Sequence, residues 1–211
     1  MHKIADSHAT TGTVGSVLHW ATGYDLLVWL MTFGREAQFR ERLLRYARLR
    51  TGESVLDIGC GTGSLVILAK RQVGPTGTVC GIDASQEMIA RANRKAKKAA
   101  VEVAFRDGLA QALPYPDAQF DVVLSTLMLH HLPHDARGQC AREIRRVLKP
   151  DGRVLAVDFA PTVRHGGILA HLRRHSHSDL PDIIALFRGE GFNIAESGAV
   201  GVRDLQFIVA T

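Results

Sequence analysis

An apolar run that ends in glycines is the clearest pattern in the chain. Residues 54–58 read S-V-L-D-I, residues 59–63 read G-C-G-T-G, and residues 65–69 are apolar again. A short apolar segment without alternation predicts a strand buried on both faces of a parallel sheet, and the glycines predict a sharp turn into a helix. Strand and helix patterns then alternate. Residues 77–82 predict a second strand, Ser85 caps a helix reaching about Ala99 with Met88 and Ile89 inward, and residues 101–105 predict a third strand. An apolar run at 120–125 predicts a central fourth strand. Pro133 opens a helix reaching Leu148, and Lys149-Pro150-Asp151-Gly152 predicts a tight turn into a fifth strand at 153–159. Ahead of the first strand, residues 35–49 set Phe39, Leu43, Leu44, Tyr46 and Ala47 among arginines, the pattern of a helix docked by one face. Toward the C-terminus, residues 179–189 predict a helix, and residues 192–199 and 202–210 predict two strands around Gly201. This rhythm of strands and helices predicts an α/β fold built on a parallel sheet.

Composition narrows the setting. At 211 residues the chain fits one α/β domain with an N-terminal extension. A formal charge of +5 permits contact with anionic substrates or an anionic membrane surface without requiring either. Few aromatics and no long Arg/Lys tract argue against a nucleic-acid reader. The basic run Arg91, Arg94, Lys95, Lys97, Lys98 predicts a solvated helix face. Three cysteines, Cys60, Cys80 and Cys140, form no C-x-x-C pair, which fits reduced thiols in a cytoplasmic protein. The polar first residues show no signal peptide. Residues 14–33 are apolar but interrupted by His19, Gly23 and Asp25, which suits two amphipathic helices better than a membrane span.

The glycine turn carries the chemistry. Gly59, Gly61 and Gly63 allow positive φ and close approach of a ligand, and Asp83 follows Gly63 by twenty residues, where an acid is expected to hold a ribose diol. A dinucleotide site wants Gly or Ala where Ser64 stands. Asp57 would also repel a pyrophosphate, whereas it suits a ligand with a cationic amine. The pattern therefore favours S-adenosylmethionine over NAD.

Together V-L-D-I-G-C-G-T-G, G-I-D-A-S, F-D-V-V-L-S-T-L-M-L-H-H-L and V-L-K-P-D-G-R-V-L-A-V-D resemble the class I S-adenosylmethionine-dependent methyltransferases, over residues 54–159. The chain is most similar to their ubiquinone/menaquinone methylase-like (type 11) branch. The resemblance implies a Rossmann-like, seven-stranded, mostly parallel sheet with helices on both faces and a C-terminal antiparallel hairpin. It implies a methyltransferase domain at 51–211, behind a helical extension or lid at 1–50. Cofactor contacts are expected from Tyr24, Asp57, Gly59, Cys60, Gly61, Gly63, Asp83, Ala84, Met88, Asp107, Gly108, Leu109 and Ser125, with Asp107 facing the adenine amino group.

His130 and His131 are the candidates for contact with the methyl acceptor, because a neutral imidazole can take a proton or orient a hydroxyl. The alternative is that one of them satisfies a backbone group at a helix start. Neither His130, His131 and His134 nor His171, His175 and His177 has an acidic or thiol partner at matching spacing, so no metal is expected. The expected acceptor is a small, apolar molecule: a quinone precursor, a phospholipid or a natural product. A non-catalytic cofactor-binding regulator is the alternative. No nucleic-acid partner is expected, peripheral membrane contact is allowed, and both monomer and homodimer stay open. The polar, histidine-rich stretch 160–178 matches no family pattern.

Overall fold

A computed structural model describes residues 36–159, 180–202 and 204–211. Tyr24, the apolar stretch 14–33 and the whole histidine-rich stretch 160–178 lie outside the described residues.

The apolar runs form one seven-stranded sheet in the order β3-β2-β1-β4-β5-β7-β6. Its strands are β1 (Ser54–Ile58), β2 (Thr78–Asp83), β3 (Ala104–Asp107), β4 (Phe120–Thr126), β5 (Leu148–Phe159), β6 (Ile194–Ala199) and β7 (Leu205–Ala210). The first five pair in parallel, while β7 runs antiparallel to both β5 and β6. The helices are α1 (Glu36–Ala47), α2 (Ser64–Val73), α3 (Gln86–Lys98), α4 (His134–Val147) and α5 (Leu180–Gly189). Phe39, Leu43, Leu44 and Ala47 of α1 join Leu65, Val66 and Ala69 of α2 in one buried cluster, and Cys140 and Ile144 of α4 join Ile183 and Phe187 of α5 in another. The two clusters lie on opposite faces of the sheet, because neighbours along β1 divide between them: Val55 to the first, Leu56 to the second. Burying each large apolar side chain stabilises the fold by about 1.5–3 kcal/mol, so α1 is held as firmly as the helices inside the motif-bearing region. Arg153 anchors its end: the guanidinium donates to Ala47 O (2.7 Å), Arg48 O (2.6 Å) and both carboxylate oxygens of Glu53.

Three elements depart from the pattern reading. The third strand begins at Ala104 rather than Val101 and continues to Asp107, because at the sheet edge only β2 holds it. Lys149-Pro150-Asp151-Gly152 does not start a new strand. It bulges out of β5 opposite Asp121, with Leu148 paired to Phe120 and Arg153 to Val122, and Lys149 Nζ donates to both Asp121 oxygens at 2.8 and 2.9 Å. Within the basic run, Arg94, Lys97 and Lys98 are exposed. Lys95 instead turns inward and donates to Thr62 Oγ1 (2.7 Å) and Ser64 Oγ (2.8 Å), bracing the glycine turn.

Candidate active site

Strand order reverses between the parallel neighbours β1 and β4, and in open α/β sheets a crevice forms outside the carboxyl ends of the strands at that point. A cleft lies there, lined by Phe39, Arg40, Asp57, Gly59, Cys60, Thr62, Leu65, Thr126 and Leu127. Its floor is the glycine turn, where Gly59, Gly61 and Gly63 have φ of 71°, 53° and 77°. Gly59 meets a second constraint, since a Cβ there would lie 2.4 Å from Met128 Cγ. Gly61 presents its backbone to Asp83, whose Oδ2 accepts the Gly61 N–H at 2.9 Å while Oδ1 accepts the Ser85 N–H at 2.9 Å.

Two carboxylates behave differently from surface acids. Asp57 is 2% exposed, and burial pushes its pKa up to about 7, with Asp83 adding to the rise and the Arg40 guanidinium opposing it. Burial also raises Asp83, against the two backbone N–H groups that favour its charged form. Asp107 sits level with Asp83 in register on the edge strand and is exposed, with Gln86 Nε2 3.4 Å from its Oδ2. Ala84 is exposed, Met88 is buried beneath the Ser85 cap, and Gly108 N–H donates to Asp83 O at 3.1 Å. Leu109 forms an isolated bridge with Ala112 beside them. Cys60 is buried in the turn, and burial together with Asp57 and Asp83 holds its thiol well above the usual range. Ser125 Oγ and Thr126 Oγ1, at the end of β4, are buried with no partner among the described residues.

The histidines lie beyond that strand end, on a 3₁₀ turn (Leu129–His131). His130 Nδ1 is 2.7 Å from Asp158 Oδ1, and His130 N–H donates to Asp158 Oδ2 at 3.1 Å. Asp158 is 1% exposed, and its Oδ1 also accepts the Phe159 N–H at 2.9 Å. Phe159 meets the His130 ring edge to face at 5.1 Å, and His131 lies against it with ring centroids 3.9 Å apart. Burial, then the neighbouring His130, lowers the His131 pKa to about 4 despite Asp158, so His131 is neutral at physiological pH.

Residues 55–152 match the family described as "Methyltransferase domain". A demethylmenaquinone methyltransferase of Lactobacillus johnsonii is 38% identical over 64% of this chain and 55% of its own length. The 27-O-demethylrifamycin SV methyltransferase of Amycolatopsis mediterranei is 40% identical over 64% of this chain and 48% of its own. The chain thus spans about half the length of these curated relatives. These similarities support a class I S-adenosylmethionine-dependent methyltransferase domain. The crystal structure of a SAM-dependent methyltransferase from Aquifex aeolicus has this fold, with TM-score 0.74 and 22% identity over 90% of this chain and 97% of that one.

The residues of the cleft fit S-adenosylmethionine, the cofactor of that family. A buried carboxylate, Asp57, and two unpartnered hydroxyls, Ser125 and Thr126, suit its cationic amino-acid end, and Asp83 keeps oxygen lone pairs for ribose hydroxyls. Arg40, which the sequence pattern did not single out, lines the same cleft and can take the amino-acid carboxylate. Its Nε and Nη2 are now held by Glu36 Oε1 at 3.0 and 2.5 Å. Asp158 was also unmarked, although an acid at the end of an apolar strand is the signal that marked Asp57, Asp83 and Asp107.

Proposed function

We propose that this chain methylates a small molecule bearing an acidic or activatable hydroxyl, a hydroquinone or a natural-product alcohol, with His130 as the base. The observation that carries the reading is the 2.7 Å contact between His130 Nδ1 and the buried Asp158. A carboxylate on Nδ1 fixes the tautomer that leaves Nε2 able to accept a proton, and it stabilises the imidazolium that results. Held by Asp57, Asp83 and the glycine turn, S-adenosylmethionine would supply an electrophilic methyl group for the acceptor and a sulfur leaving group that keeps the electron pair of the sulfur–methyl bond.

The chain's own residues position and deprotonate. The acceptor's hydroxyl proton passes to His130 Nε2 and from there to water, and the freed electron pair makes either the oxygen or a conjugated ring carbon nucleophilic. Apolar Leu127, Phe39 and Phe159 limit water near the reacting atoms. The names of the two relatives support both outcomes, a quinone ring and an alcohol, and both need a proton removed. The test is incubation with methyl-labelled S-adenosylmethionine and a panel holding 1,4-dihydroxynaphthalene, simple phenols and aliphatic alcohols, with products read by mass spectrometry. The expected result is a labelled product from a hydroxyl-bearing acceptor. Tight cofactor binding with no acceptor turned over would favour a non-catalytic binding protein instead.

A further inference from the structure

Four non-glycine residues among those described have positive φ, and three of them, Arg48, Ala100 and Ala118, are exposed. The fourth is Leu127, with φ of 55°, partly buried and lining the cleft. A bulky side chain in the left-handed region is an outlier that persists only where its surroundings over-determine it.

The surroundings are two attachments to consecutive residues of β5. Leu127 N–H donates to Val157 O at 2.8 Å, the last rung of the β4–β5 ladder, and His130 N–H donates to Asp158 Oδ2 at 3.1 Å. An extended strand would carry the chain roughly 10 Å in three residues, whereas β5 advances only about 3.3 Å in one. The chain must therefore fold back between residues 127 and 130. The left-handed step at Leu127 begins that reversal, and the 3₁₀ turn closed by His131 N–H to Met128 O (2.9 Å) completes it. Glycine would make the step without strain but would leave the cleft wall open, since the Leu127 side chain packs with the cluster that holds Phe39 and Leu65.

The geometry points to Leu127 as a positioning residue for methyl transfer: its left-handed backbone sets His130 on Asp158 while its side chain closes the cleft. This rests on His130 being the base. The two jobs separate in two variants. Leu127→Gly keeps access to positive φ and loses the side chain; Leu127→Ile keeps the apolar volume, but its β-branch opposes positive φ.

Turnover of 1,4-dihydroxynaphthalene, cofactor affinity by calorimetry and the His130 Nδ1 proton signal by NMR are read for each. Leu127→Ile is expected to lose kcat by about 10–100-fold and to lose the Nδ1–H···Asp158 signal, with cofactor affinity within about threefold of parental. Leu127→Gly is expected to keep the signal and to raise acceptor KM more than it lowers kcat. Should Leu127→Ile fail to fold, Leu127→Asn, which tolerates positive φ at similar size, must keep the signal. A folded Leu127→Ile with parental signal, or a folded Leu127→Asn without it, overturns the inference. Because the NMR signal needs no acceptor, the pivot is judged even if the parent turns nothing over, an outcome that would count against the proposed function alone.

Discussion

Replacing Asp57 by Asn keeps the shape of the buried side chain and removes its ability to ionise. Burial in the folded protein pushes the Asp57 pKa up to about 7, from 3.8 for a carboxyl free in water. That difference of roughly 3 units corresponds to about 4 kcal/mol at 1.36 kcal/mol per unit, undiminished by solvent because the group is fully buried. The pKa is raised on folding, so the contribution is fully present below about pH 4 and is lost as pH rises through 7. Between pH 5 and 8 the parent should lose about 2–3 kcal/mol from this group. For a domain of this size that is about 5–10 °C in Tm.

Other groups titrate too. His131, held near 4, pulls the opposite way by favouring the folded state as pH rises, but it acts equally in parent and variant. The assay is therefore the difference in Tm between Asp57→Asn and cofactor-free parent, measured from pH 5 to 8. It should widen in favour of the variant as pH rises. Cofactor binding should respond in reverse: a cationic amine needs the carboxylate, so parental affinity should be about tenfold weaker at pH 6 than at pH 8, and the variant's should be weak and flat. Parallel Tm curves, or a variant that binds S-adenosylhomocysteine like the parent, would refute the reasoning.

Removing the Asp83 carboxylate with Asp83→Ala should weaken S-adenosylhomocysteine by about 10–100-fold in calorimetry, since charge-assisted bonds to the ribose and the brace on Gly61 are lost together. Gly61→Val forces a β-branched residue toward φ of 53° and should abolish cofactor binding while circular dichroism stays near parental. His130→Ala should lower kcat by about 10²–10⁴-fold with cofactor affinity unchanged, measured by product formation at saturating acceptor. Arg153→Ala should cost about 3 kcal/mol in urea unfolding, because it leaves Glu53, 12% exposed in its side chain, and two helix-end carbonyls without their donor.

The parts of the molecule that were legible in sequence are those where one residue type answers one physical need. The apolar runs of β1, β2 and β4 and the glycines between β1 and α2 could hardly be anything else, and Ser85 caps α3 as its position foretold, its Oγ accepting the Met88 N–H at 3.3 Å. Legibility failed where the need is met from far along the chain. Arg40 is one arginine among several on α1, and only folding brings it to Asp57. Lys95 reads as one charge in a basic run until α3 packs beside the glycine turn. The left-handed backbone of Leu127 has no sequence signature, because two bonds to β5 impose it on a residue that would not choose it.

The order of strands has a consequence for how the chain is made. The strand that covers β5 is β7, the later arm of the hairpin, while the earlier arm, β6, is parked outside it. During synthesis V-L-A-V-D-F of β5 therefore presents an open, mostly apolar edge until about fifty further residues have emerged and β7 can slide between two strands already in place. The vulnerable interval in the life of this protein is thus its birth rather than its maturity. Nascent chains arrested after β6 should be the species that chaperones hold and that aggregates trap.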